Sequence, residues 1–226
     1  MRSKFLPFSP PFISNEEINE VIDALKSDWI TTGPKTKSFE KEFGRLIGSP
    51  SCLALNSCTG ALHTALATLG IGQGDEVITT TMTFASTVNV IEHVGAKPVL
   101  VDVEADTLNI NFEKIGEAIT TKTKAIMPVH YAGHPAELDS IYDLAKKHRL
   151  FVIEDAAHAF PAEYKGQKIG SSKNPVAFSF YATKNITTAE GGMLTGEGEF
   201  IERARIISLH GMSHDAWKRY DKGGSW

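Results

Sequence analysis

The chain of 226 residues has little cysteine, no dense basic cluster and no long apolar run. Its two cysteines, Cys52 and Cys58, cannot build a disulfide framework, and the CxxC spacing of zinc sites is missing. No apolar run approaches the ~18 residues of a membrane span. The opening MRSKFLPFSPPF has no apolar core ahead of its prolines, as a secretion signal would need. We therefore expect a cytoplasmic protein with no membrane partner and no metal site.

The charge balance is slightly acidic, with 23 lysines and arginines against 27 aspartates and glutamates, a formal charge of −4. Nucleic-acid binders neutralise phosphates with basic clusters, so this balance argues against a nucleic-acid partner. Hydrophobic residues make up 42% of the chain, an ordinary value that allows a sizeable core. At roughly 150 residues per domain, the length suits one large domain or one and a half.

Short apolar runs alternate with amphipathic stretches along most of the chain. The runs predict strands at 52–55, 76–79, 98–101, 125–129, 150–153, 176–181 and 193–195. The amphipathic stretches predict helices around Leu62, Ile91, Ile115, Ile141 and Ile201. This alternation indicates an α/β fold with a mostly parallel sheet and helices on both faces.

The two ends of the chain differ in pattern. Ser14 and Glu17 have the spacing of a capping box, and the helix they open carries Ile18, Val21, Ile22 and Leu25 on one face. At the other end, no helix or strand is predicted in Lys222–Trp226. A flexible tail would explain this ending, but the pattern favours a chain that ends inside a larger protein.

Polar residues follow the predicted strands at positions where open α/β sheets bind ligands. After the first strand, Ser57, Thr59 and Gly60 open a helix whose N–H groups and dipole suit a phosphate. The alternative is a helix cap at Ser57 or Thr59 and nothing more. Phe84 follows the second strand, where its ring could stack on a flat cofactor or simply pack in the core.

The predicted strand at 150–153 runs into two adjacent acids, Glu154 and Asp155. A buried carboxylate needs a partner, and one candidate is the cationic nitrogen of a cofactor. The alternative is that Asp155 caps the segment that follows it.

The most informative stretch is Val176–Thr195, in which Lys184 and Glu190 are the only charged residues. Phe178 and Phe180 alternate with Ser179 along the predicted strand. Partial burial of Lys184 would lower its pKa and favour the neutral amine that Schiff-base chemistry needs. Most lysines are ordinary surface residues, but this setting among small and apolar neighbours is not typical of them.

Motifs for other chemistries are missing from the sequence. No GxGxxG follows a predicted strand, and neither a P-loop nor a GxSxG elbow is present. His130 and His134 lie four residues apart, but Pro135 adjoins them and no third metal ligand is evident.

Together, the segments resemble the DegT-type nucleotide-sugar aminotransferases, which depend on pyridoxal 5'-phosphate (PLP) and have the type I aminotransferase fold. The resemblance extends over nearly the whole chain. It is carried by WITTGP (29–34), NSCTGALH (56–63), TMTFASTVN (81–89), PVHYAG (128–133), VIEDAAH (152–158), SFYATKN (179–185), EGG (190–192) and HGM (210–212).

This resemblance implies two catalytic residues. Lys184 would form a Schiff base with PLP and then, once released, move a proton between substrate and cofactor. Asp155 would pair with the pyridine nitrogen and keep it protonated, which makes the ring an electron sink.

Five further residues would bind the cofactor, according to the same resemblance. Phe84 would stack on the ring face, and His158 would lie near the ring oxygen. Thr59, the backbone of Gly60, and Ser179 would hold the phosphate.

The implied reaction takes an amino group, with L-glutamate as donor, to a nucleotide-linked keto sugar in surface polysaccharide or related sugar biosynthesis. A homodimer is implied because active sites of this family straddle two subunits. Residues 1–226 would be the PLP-binding large domain, without the family's C-terminal small domain. Two alternatives stay open: a truncated, non-catalytic remnant that acts as a binding or regulatory protein, and a related sugar dehydratase, which has histidine where Lys184 stands.

Overall fold

The computed structural model describes residues 5–27 and 29–212, so Lys222–Trp226 lies outside the described residues. The helices are α1 (Asn15–Lys26), α2 (Pro34–Ile47), α3 (Cys58–Thr68), α4 (Ala85–His93), α5 (Phe112–Ala118), α6 (Leu138–His148) and α7 (Gly198–Ser208). The strands are β1 (Ser51–Leu55), β2 (Glu76–Thr80), β3 (Lys97–Val101), β4 (Thr123–Met127), β5 (Phe151–Val152), β6 (Glu154–Asp155), β7 (Glu163–Tyr164), β8 (Gln167–Lys168), β9 (Val176–Ser179) and β10 (Gly192–Gly196). No helix in the described part of the chain is long and apolar enough to cross a membrane.

The main sheet is mostly parallel, as predicted. Its strands pair in the orders β1-β10-β9-β6 and β3-β2-β4-β5. The two groups are continuous because β5 and β6 flank Ile153, whose N–H donates to the Ile126 carbonyl at 3.0 Å. Strand β10 is antiparallel to both β1 and β9, whereas the other pairings of this sheet are parallel. Strands β7 and β8 form a separate antiparallel pair.

Helices cover both faces of the sheet, which confirms the predicted layers. Alternate strand residues enter opposite cores: Ala177 and Leu194 pack on one face, Phe178 and Met193 on the other. The first face is covered by α3, α4 and α7, which contribute Leu62, Leu66, Ile91 and Ile201. The second face is covered by α2, α5 and α6, which contribute Phe43, Ile47, Ile115 and Ile141.

Helix α1 begins as the sequence predicts but is not packed as expected. The Ser14 side chain accepts from the Glu16 N–H at 3.0 Å, and the Glu17 carboxylate accepts from the Ser14 N–H at 2.6 Å. The predicted apolar face is nevertheless exposed, with fractions between 41% and 65% for Ile18, Val21, Ile22 and Leu25. Amphipathic spacing therefore predicted the helix correctly, but within the described residues this face lacks a covering layer.

Gly192 lets the start of α3 pass directly over the sheet. It is the first residue of β10 and lies opposite both Leu55 of β1 and Ser179 of β9. A Cβ at this position would lie 2.3 Å from the Ser57 carbonyl carbon and 2.5 Å from the Cys58 nitrogen. Both neighbours are backbone atoms, so a larger residue would displace the first turn of α3.

We expect Gly192→Ala to lower the free energy of unfolding by about 1–3 kcal/mol, because the added methyl overlaps backbone. Gly116→Ala in α5 is the matched control, since a Cβ there meets no atom within 4 Å. Removing a helical glycine should leave stability unchanged or raise it by up to about 1 kcal/mol. Urea unfolding midpoints measure both changes, and equal effects would contradict the close approach.

Candidate active site

A cleft of about 550 Å³ opens beyond the carboxyl ends of β6 and β9. Its walls include three predicted site residues, His158, Ser179 and Lys184, together with the 3-10 turn at Tyr131–Gly133. Parallel strands commonly bind ligands at this edge. The fold therefore brings together residues between Ala132 and Ile186 around one space, with Phe8 and Ser9 from the start of the chain.

The Asp155 carboxylate is anchored two residues before Ala157, which lines the cleft. Its side chain is 3% exposed at the end of β6. Oδ2 accepts from the Thr87 hydroxyl at 2.8 Å, and Oδ1 accepts from the Ala157 N–H at 3.0 Å. The Cys58 Sγ lies 3.9 Å from Oδ1. The Ala157 contact realises the alternative that Asp155 caps the next segment, yet contacts from α3 and α4 show that it does more than cap.

Lys184 lies in a turn and not on the strand. Strand β9 ends at Ser179, two residues before the predicted end, and the Lys184 N–H donates to the Tyr181 carbonyl at 2.9 Å. The side chain is half-buried and lines the cleft. A turn of this kind lets the long side chain reach over the end of the sheet.

The charges of Lys184 and Asp155 act on two neighbouring groups. Partial burial lowers the pKa of His158, the Lys184 ammonium lowers it further, and Asp155 opposes this. Burial raises the pKa of the Cys58 thiol well above its usual value, Asp155 adds to the rise, and Lys184 opposes it. Lys184, Asp155 and His158 therefore share one electrostatic environment, in which the neutral imidazole is favoured at pH 7.

Two of the predicted phosphate residues, Thr59 and Gly60, lie in the first turn of α3. The Ser57 hydroxyl caps this helix by accepting from the Gly60 N–H at 3.0 Å, so the cap interpretation is confirmed for Ser57. Thr59 belongs to the first turn, whose N–H groups have no acceptors within the helix. Ser179 reaches the same edge because Gly192, its register partner, lies beneath Ser57. The helix dipole and a hydroxyl suit an anion there.

Phe84 is exposed, so the alternative that it packs in the core is wrong. The side chain is 78% exposed at the N-cap of α4. Its carbonyl accepts from the Thr87 N–H at 3.1 Å, within the same turn that anchors Asp155. An exposed ring on this turn is available to stack on a flat ligand.

Two sets of contacts were missed from the sequence. Thr87 lies 68 residues from Asp155, and no spacing connects them, although Thr87 falls in one of the recognisable segments. Glu154 is buried on the opposite face, where it accepts from the Tyr142 hydroxyl at 2.5 Å and lies 3.0 Å from the His130 Nε2. Burial and Glu154 raise the pKa of Tyr142 above its usual value. Successive residues of a strand point to opposite faces of the sheet. The adjacency of the two acids was therefore the signal in the sequence that they would have different partners.

A second cavity of about 800 Å³ lies on the far side of the α3 start. It is lined by Gly60, Glu190 and Gly192, and by Thr32 from the predicted loop at 29–34. Gly60 therefore faces this cavity, whereas Ser179 lines the first one.

The predicted site residues have the chemistry that PLP needs. An anchored carboxylate suits a cationic ring nitrogen, the α3 start suits a phosphate, and Phe84 presents an open ring face. Lys184 is the amine that borders the same space.

Comparison with known proteins identifies the family of this chain. The model of the DegT/DnrJ/EryC1/StrS aminotransferase family matches residues 11–224. The chain belongs to this family. Spr1654 of Streptococcus pneumoniae in its PMP form superposes with a TM-score of 0.89 at 42% identity, covering 94% of this chain and 59% of that one. Spr1654 is also known in a PLP form. The fold is that of the type I PLP-dependent aminotransferases, and PLP is the family's cofactor.

The curated relatives are longer than this chain. It is 60% identical to MJ1066, an uncharacterized protein of Methanocaldococcus jannaschii, over 100% of this chain and 59% of that protein. It is 52% identical to SpsC, a spore coat polysaccharide biosynthesis protein of Bacillus subtilis, over 100% of this chain and 58% of that protein. The chain thus spans less than two thirds of both relatives.

We expect the His158 imidazole to titrate below about 6.5 in an NMR titration, because the folded site disfavours its proton. The unfolded chain then binds the His158 proton more tightly than the folded chain does. The free energy of unfolding therefore falls as the pH drops through the ordinary histidine pKa. Lys184→Gln should raise the midpoint of the His158 titration, because it removes the ammonium that lowers this pKa. Lys173→Gln, at a lysine paired with Glu197, should leave the midpoint unchanged. A midpoint insensitive to Lys184 would contradict the shared environment.

Proposed function

We propose that this chain carries the active site of a PLP-dependent aminotransferase that moves an amino group from L-glutamate to a nucleotide-linked keto sugar. The observation that carries the proposal is that Lys184 lines the cleft and that it acts, together with the anchored Asp155, on the same neighbours, His158 and Cys58. Family membership supports the reaction class, and the name of SpsC supports a role in polysaccharide or related sugar biosynthesis. We place this activity in the cytoplasm.

Besides Lys184 and Asp155, five residues would hold the cofactor. Phe84 would cover one face of the ring, and the neutral imidazole of His158 would lie near the ring oxygen. Thr59, the backbone of Gly60, and Ser179 would hold the phosphate. When bound, PLP withdraws electrons from the substrate carbon that bears the amino group and makes its proton acidic.

Asp155 and Lys184 divide the remaining work. The Asp155 carboxylate would accept a hydrogen bond from the protonated ring nitrogen, and its donors at Thr87 and Ala157 hold it in place. The Lys184 amine, which lines the cleft, would take the proton from the substrate carbon as a general base and deliver it to the cofactor as a general acid. The amino donor and the keto acceptor would use this amine in turn.

Residues 1–226 would form the cofactor-binding large domain, and the small domain would lie within the further length of the relatives. The chain spans 59% of MJ1066, which leaves room for such a domain in that protein. The exposed apolar face of α1, at Ile18, Val21, Ile22 and Leu25, is a surface that another domain would cover. A homodimer is inferred from the resemblance to a family whose active sites straddle two subunits.

The alternatives differ from this proposal in chemistry. Lys184 argues against the dehydratase, which has histidine at that position. A non-catalytic remnant would have the fold without the covalent link to PLP, so a single labelling experiment separates it from the enzyme.

We expect purified protein mixed with PLP to turn yellow, and borohydride to fix PLP on the peptide that contains Lys184. Lys184→Ala should abolish the fixed adduct completely. Lys173→Ala, at a surface lysine paired with Glu197, should keep it. Absorbance and peptide mass measure the outcome. An adduct that survives on another lysine would refute the assignment, and no adduct in the wild type would favour the remnant.

We expect Asp155→Asn to keep the link to Lys184 but to slow the half-reaction with L-glutamate by at least roughly 100-fold, because the ring loses its electron demand. Asp139→Asn is the control, since this surface acid pairs with Lys165. Stopped-flow absorbance gives both rates. An Asp155 variant as fast as the wild type would remove this residue from the mechanism.

A further inference from the structure

Two threonine hydroxyls on α4 and its N-terminal approach lead to the Asp155 carboxylate. The Thr87 Oγ1 lies 2.8 Å from Asp155 Oδ2, and the Thr83 Oγ1 lies 2.6 Å from the Thr87 Oγ1. Thr87 is fully buried, and Thr83 is half-buried. The three polar groups therefore form a continuous chain of hydrogen bonds from the half-buried Thr83 hydroxyl to the carboxylate.

The direction of this chain follows from the number of protons. An ionised carboxylate only accepts, so Thr87 must donate its single hydroxyl proton to Asp155. The Thr87 oxygen then accepts, which makes Thr83 the donor of the shorter contact. Hydrogen bonds to a charged group are strong. The Thr83 hydroxyl polarises the Thr87 hydroxyl and so strengthens the bond from Thr87 to Asp155 further.

The two carboxylate oxygens are held from opposite sides. Oδ2 is held by α4 through Thr87, and Oδ1 by the Ala157 N–H at 3.0 Å, with the Cys58 Sγ at 3.9 Å. The Ala157 contact is local, two residues along the chain, and fixes only Oδ1. Thr87 supplies a long-range contact to the other oxygen, so the two bonds together fix the plane of the carboxylate.

Thr87 also links the carboxylate to the backbone of Phe84, whose ring is exposed. Its N–H donates to the Phe84 carbonyl at 3.1 Å, so one residue contacts both Phe84 and Asp155. A helical turn thus sets the distance between the ring face that would stack on the cofactor and the acid that would meet its nitrogen.

We propose that Thr87, supported by Thr83, is a positioning residue that aims the Asp155 carboxylate at the ring nitrogen of the cofactor. This proposal rests on the proposed function, and it assigns to α4 a part in cofactor binding beyond Phe84. Thr87 does not touch the reacting atoms and acts through Asp155.

The chain contains a matched control for this role. Thr79 is also fully buried, and its hydroxyl donates to the Met127 carbonyl at 2.7 Å. Thr79→Val and Thr87→Val remove the same atoms from equally buried sites, but only the second touches Asp155. A merely structural loss would appear in both variants.

The test compares Thr87→Val, Thr87→Ser and Thr79→Val. PLP dissociation constants come from fluorescence quenching, and the exchange of the Ala157 amide with solvent comes from NMR of the protein without PLP. We expect Thr87→Val to weaken PLP binding about tenfold or more and to speed Ala157 exchange by a similar factor. Thr87→Ser should restore both values to within about threefold of the wild type, and Thr79→Val should change neither by more than that.

The two proposals fail in different ways. If the wild type binds PLP and Thr87→Val matches Thr79→Val in both readouts, the positioning role is wrong while the enzyme proposal stands. If the wild type forms no borohydride-stable adduct, the enzyme proposal fails, and the positioning role falls with it. If Thr87→Val does not fold, Thr83→Val replaces it. Thr83→Val should also weaken PLP binding, by a smaller factor. Unchanged binding would overturn the proposed role of the Thr83–Thr87–Asp155 chain.

Discussion

Among the described residues no lysine or arginine bonds to the buried Asp155 carboxylate, so neutral donors hold it there, and this constraint organises the site. Asp155 meets it with a hydroxyl from α4 and an N–H from its own following loop, with a thiol of α3 nearby. These contacts hold the starts of α3 and α4 near the same point at the end of β6. The surface proposed to bind phosphate and the exposed aromatic ring are carried by those two helix starts, so their placement depends on the same carboxylate.

The second organising contact is backbone against backbone. The antiparallel β10 inserts Gly192 between β1 and β9, and the first turn of α3 lies directly on it. Because this approach is so close, the helix start and Ser179 reach one edge of the sheet. The glycine pair that follows Glu190 therefore serves helix packing as well as the turn beside Lys184.

The two acids at the end of the central strand show how one pattern serves two purposes. Glu154 points to one face, where Tyr142 and His130 satisfy it inside the core. Asp155 points to the other, where its partners leave it beside the cleft. Alternation along a strand thus separates a structural acid from one available to a ligand. The neighbouring position of the two residues in sequence hides that difference.

Local pattern determined much of this protein. The alternation of apolar runs and amphipathic stretches predicts the parallel sheet and both helix layers, and the spacing of Ser14 and Glu17 predicts the start of α1, because these features depend on neighbours within a few residues. Tertiary structure alone decided that Phe84 is exposed, that the α1 face is uncovered in the described residues, and that Thr87 reaches Asp155. Contacts between segments 68 or 97 residues apart depend on how strands are ordered in the sheet, and no local spacing encodes that order.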